Sequence, residues 1–65
     1  MFGLHRKQRF EREVAEEMAY MLGLHGDPKA AAEGAAERAR RPNISSSRAK
    51  VLQTASDRLR AQVGR

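Results

Sequence analysis

Ala31, Ala32, Ala35, Ala36 and Ala39 fall on one stripe of an α-helix, because they recur at spacings of one, three and four. This stripe constrains the fold more than any other feature. Alanine carries little apolar area, so such a face is useful only if another helix approaches it closely. Eleven of the chain's apolar residues are alanine, which leaves few large side chains to build a core. At 65 residues, with no cysteine and no tryptophan, there is room for one small domain, and neither a disulfide nor a Cys-containing zinc site can brace it. A domain of about 60 residues without such a brace is marginal. The expectation is therefore that a second copy or a larger partner completes the core.

Glycine and proline divide the chain at Gly23, at Gly26-Asp27-Pro28 and at Pro42-Asn43. No strand pattern and no internal repeat is visible. In the first segment Phe10, Val14, Met18, Met21 and Leu22 share one helical face, with Arg9, Arg12, Glu13 and Glu16 on the other side. Gly23 is expected to end this helix in a left-handed conformation, followed by an apolar contact from Leu24. Asp27 and Pro28 give the clearest start signal in the chain: an acceptor for an orphan N–H, then a residue that loses no needed donor. The helix they begin carries the alanine stripe, with Lys29, Glu33, Glu37, Arg40 and Arg41 opposite, and Glu37 and Arg41 spaced as a helical ion pair. The third helix is expected to start within Ser45-Ser46-Ser47. It buries Val51, Leu52, Ala55, Leu59 and Val63, with Lys50, Asp57 and Arg60 opposite.

These signals predict an all-α fold: a small bundle of helices at about 6–22, 28–41 and 46–63, the first two as an antiparallel hairpin. The whole chain, 1–65, reads as a single domain with frayed ends at 1–5 and 64–65.

Two sets of residues could carry function. The first is a docking face made of Phe10, Val14, Met18, Met21, Ala31, Ala35 and Ala39. Methionine-rich surfaces adapt to partners, and an alanine face admits a close helix. The bland alternative is that these residues pack on one another. The second set is basic: Arg38, Arg40 and Arg41 at the end of the second helix, with Arg48 and Lys50 beyond the loop. Thirteen Lys and Arg against eight Asp and Glu give a net charge of +5, so a phosphate-binding patch at this junction is the alternative functional reading. Cations also suit a helix C-terminus without any ligand. The scarcity of aromatic residues argues against stacking on single strands. Arg41 to Ser46 is longer than the three- or four-residue turn of a helix-turn-helix, although Ser47, Arg48, Lys50 and Gln53 stand where a recognition helix would begin.

The remaining features exclude other classes. Neither His5 nor His25 stands at a Glu-x-x-His spacing, so the cluster Glu11, Glu13, Glu16 and Glu17 does not read as a metal site. No nucleophile–base set or glycine-rich phosphate loop is present, so no catalytic residue, small-molecule substrate, cofactor or metal is expected. The basic N-terminal stretch around Phe2, Leu4 and Phe10 has too little apolar area for a membrane-surface role. No apolar run reaches 18 residues and no secretory segment is seen. The sequence thus leads to the expectation of a cytoplasmic, non-catalytic interaction module. It would dock as an accessory, regulatory or structural subunit on itself or a larger partner, with a small nucleic-acid-binding regulator as the alternative.

Overall fold

In the computed structural model the described residues are 2–63, with side chains from 7 onward. They form three α-helices and no strand: α1 (Phe2–His25), α2 (Pro28–Ala39) and α3 (Ser46–Val63). Each helix packs on the other two, and α2 and α3 share the most extensive contact. At 1.5 Å per residue the 24 residues of α1 span about 36 Å, which matches the longest dimension of the molecule, 36 Å. The expected three-helix bundle is thus the observed architecture. Of the ends expected to fray, residues 2–5 belong to α1, while 1, 64 and 65 lie outside the described residues.

The boundaries follow local chemistry, and three of them differ from expectation: α1 begins at Phe2 rather than near 6, and α1 and α2 end elsewhere than at 22 and 41. The first helix does not stop at Leu22. It runs through Gly23 to His25, and Gly26 takes the left-handed conformation, with φ +86°. The Gly26 N–H donates to the Leu22 carbonyl at 2.8 Å, the single bond of a left-handed helix ending. Leu24 makes no sealing contact and is 61% exposed. Asp27 then caps α2 from an extended backbone, its Oδ1 accepting from the Ala30 N–H at 2.9 Å, with Pro28 in the first turn. One left-handed residue is enough to reverse the chain between two caps so close together, so Gly23 is left inside a helix.

The second helix ends at Ala39, two residues before the expected limit. Pro42 disfavours helical backbone at Arg41, and the chain closes with tighter bonds: Arg40 N–H to Glu37 C=O at 3.1 Å and Arg41 N–H to Arg38 C=O at 3.3 Å. Arg41 is therefore off the helix, and the anticipated Glu37–Arg41 pair is not among the ion pairs of the described residues. Of the three serines, Ser45 caps α3, its Oγ accepting from the Arg48 N–H at 3.2 Å.

The core is built from the stripes read in the sequence. Met21 of α1 sits with Ala31, Ala32 and Ala35 of α2 and Leu59 of α3, all fully buried, with Met18 and Leu22 against them. Beside this group, Val14 meets Val51 and Ala55, flanked by Phe10 and Met18. Leu52 is fully buried as well, whereas Val63 is 47% exposed at the end of its helix. A Cβ on Gly34 would meet the tip of the exposed His25 ring, which would have to swing aside.

Candidate functional site

The two sets of residues proposed from sequence have different fates. In the apolar set, Val14, Met21, Ala31 and Ala35 are fully buried within the chain, Phe10 and Met18 are half-buried against the same core, and Ala39 is half-buried. The alanine stripe is where α1 and α3 pack, so in this fold it is interior and presents no free docking face. The large apolar side chains that stay exposed among the described residues are Tyr20, Leu24 and Val63.

In the basic set, two helices and the loop between them bring three arginines to one place. Arg38 from the last turn of α2, Arg41 from the loop and Arg48 from the first turn of α3 line a cavity of about 250 Å³, together with Asn43 and Ile44. Pro42 is what makes this possible. It stops α2, and the loop then folds over so that the Ile44 N–H reaches the Arg41 carbonyl at 3.4 Å. Arg40 and Lys50 stand outside the cavity, both exposed. Lys50 lies two residues beyond Arg48, a spacing that sends it to another side of the helix.

The floor of the junction is acidic, which the sequence reading missed. Glu17 of α1 reaches the meeting point of α2 and α3, and its side chain is only 10% exposed. Arg48 donates a hydrogen bond to Glu17 Oε2. Arg38 Nη1 lies 3.8 Å from Glu17 Oε1, too far for a hydrogen bond, and that buried oxygen has no hydrogen-bond partner. Glu13 adds a second carboxylate 3.7 Å from Arg48. The Arg38 guanidinium also lies 5.7 Å from the Tyr20 ring centre, within cation–π range. A signal for Glu17 was present in the sequence. It stands three residues after Val14 and four before Met21, on the apolar stripe itself. A carboxylate there must meet a cation, because an unpaired buried charge is expensive.

A second ion pair lies away from this junction. Arg58 of α3 grips Glu11 of α1 with two parallel hydrogen bonds, Nη1 to Oε1 at 2.7 Å and Nη2 to Oε2 at 2.8 Å. These bonds hold the Glu11 carboxyl below its ordinary pKa, and the carboxylate in turn raises that of Arg58.

Among the described residues no group of three or more His, Cys, Asp or Glu is placed to hold a metal ion, and no helix is long and apolar enough to cross a membrane. Compared with protein-family models, curated proteins and solved structures, the chain matches none.

Proposed function

We propose that this chain is a small, non-catalytic nucleic-acid-binding module whose contact surface is the basic junction of α2 and α3. The observation that carries this reading is the convergence of Arg38, Arg41 and Arg48 on one open cavity. Guanidinium groups suit phosphate oxygens by charge and by their fork of donors, and the net charge of +5 favours approach of a polyanion. The expected ligand is a duplex read by its phosphates, since the one tyrosine already lies beneath Arg38 and no row of aromatic residues offers itself to unstacked bases. A regulatory or accessory role, in the cytoplasm, is the setting such a module fits.

Titration of duplex DNA and duplex RNA by fluorescence anisotropy at several salt concentrations tests the proposal. Affinity should fall steeply with salt, by a log–log slope of about −0.9 for each phosphate neutralised on DNA. Replacing both Arg40 and Arg41 with glutamate should weaken binding at least tenfold and leave the helical signal unchanged. Absence of binding to either duplex at low salt would sink this reading.

A second reading, association with another copy of the chain, has one observation in its favour. Tyr20 (56% exposed) and Leu24 (61%) stand one turn apart on α1, on a chain whose own core is thin. Melting midpoints that rise with protein concentration would support it, and a monomeric mass with an unchanged midpoint over a hundredfold dilution would exclude it.

A further inference from the structure

We infer that the cavity at the α2–α3 junction is a seat for a phosphate or pyrophosphate anion, and that Glu17 occupies two of its three arginines until such an anion displaces it. The inference rests on reading that junction as a phosphate-binding surface, and adds how the surface is regulated.

The argument begins with the arginines. Arg38 and Arg48 line the cavity, yet each also faces a carboxylate of α1. Their side chains are 39% and 38% exposed, so Glu17 does not bury either arginine. The pairing is incomplete. Glu17 has one oxygen bonded by Arg48, while its other oxygen is buried, lacks any donor and stands 3.8 Å from Arg38. A carboxylate offers two oxygens in a plane. A phosphate group offers more oxygens, arranged around a centre, and in this cavity it would also meet Arg41 and the Asn43 amide, which Glu17 does not engage. Glu17 thus acts as a built-in competitor, and Glu13, 3.7 Å from Arg48, as a weaker one. Because both belong to α1 while Arg38 and Arg48 belong to α2 and α3, occupation of the seat also loosens the hold of α1 at this crossing.

The test compares the parent with Glu17→Gln and Glu13→Gln, each checked for helical content. Inorganic pyrophosphate is titrated while the arginine side-chain N–H resonances are followed by NMR, and duplex DNA is titrated separately by anisotropy. Glu17→Gln keeps the size of the side chain and removes its charge. It should bind pyrophosphate roughly tenfold tighter than the parent, as expected when one charged hydrogen-bonding competitor is removed, with the Arg38 and Arg48 resonances moving most. Glu13→Gln, on a more exposed pair, should give a gain of about two- to threefold. A folded Glu17→Gln variant with unchanged or weaker pyrophosphate affinity overturns the inference, and if that variant fails to fold, absence of any gain in Glu13→Gln does the same. If the parent binds the duplex but Glu17→Gln gives no gain for pyrophosphate, this inference falls and the nucleic-acid reading stands. If pyrophosphate binding gains and no form binds the duplex, the seat stands and the nucleic-acid reading falls.

Discussion

The Ser56 hydroxyl donates a hydrogen bond to the Ala32 carbonyl across 2.8 Å, joining α3 to α2 at a point sealed from water. The Ala32 carbonyl belongs to a helical turn, so this bond is additional to the one it accepts along its own helix. It also measures how closely the two helices approach, since a two-atom side chain spans the gap. Ser56→Ala leaves the carbonyl with its helical partner and orphans nothing. Its cost should be modest, about 0.5–1.5 kcal/mol in a denaturant melt. Ser56→Leu has no room at this crossing and should cost about 1–3 kcal/mol. Equal stability of the leucine variant and the parent would show that the two helices do not approach so closely in solution.

Ala35 tests the same packing from the other helix. It is fully buried in the group formed with Met21 and Leu59. Leucine is nearly as good a helix former as alanine, so any loss in Ala35→Leu comes from forcing helices apart, again about 1–3 kcal/mol. Ala30, one residue from the stripe and only half-buried, is the control, and Ala30→Leu should be nearly neutral. Thermal melts of the two variants should differ by several degrees, since about 1 kcal/mol moves the midpoint of a domain this small by roughly 4–8 °C. Coincident melts would mean that the stripe is not a close-packed face.

The helices were legible because their signals are local and redundant. Asp27-Pro28 starts α2 by capping chemistry that needs no tertiary context, and the stripes of Val14, Met21, Val51 and Leu59 report a buried face by spacing alone. What escaped was tertiary. Whether the alanine face meets a neighbour in the same chain or in another is decided by how the loops aim the helices. The acid floor beneath Arg38 and Arg48 depends on α1 crossing where the other two helices meet, and sequence spacing along one helix says nothing about a partner 31 residues away. Pattern also points to Gly23, the first glycine after the apolar stripe, as the helix stop, although Gly26 is the one that serves.

That difference is testable at the two glycines. Gly23 lies inside α1, and a Cβ placed there meets nothing within 4 Å. Gly23→Ala should therefore stabilise the protein by about 0.5–1 kcal/mol through helix propensity. Gly26 has equally open space but a φ of +86°, where an L side chain is strained, so Gly26→Ala should destabilise by about 1 kcal/mol or more. Paired urea melts decide the matter. Destabilisation by Gly23→Ala together with tolerance of Gly26→Ala would move the end of α1 back to Leu22.

Glu11 and Arg58 tie α1 to α3 on the surface and make a prediction in pH. The paired hydrogen bonds from Arg58 are the largest influence on the Glu11 carboxyl. Desolvation, the next largest influence, opposes them, the charges of Arg58 and Lys7 add to the lowering, and the net shift is downward. A carboxyl whose folded pKa lies below its unfolded value contributes stability that is fully present above the unfolded value. That contribution is lost as pH falls through the folded one. Arg58 stays protonated throughout, so within this pair only Glu11 titrates. Both groups are solvent-exposed, so the contribution should be small and should shrink as salt is added. NMR titration of the Glu11 side-chain carboxyl carbon should give a midpoint below that of an ordinary glutamate, and Arg58→Ala should return it upward. The parent should also lose more stability than Arg58→Ala on acidification through that window at low salt. An identical Glu11 midpoint in the two proteins would mean that the double hydrogen bond does not persist in solution.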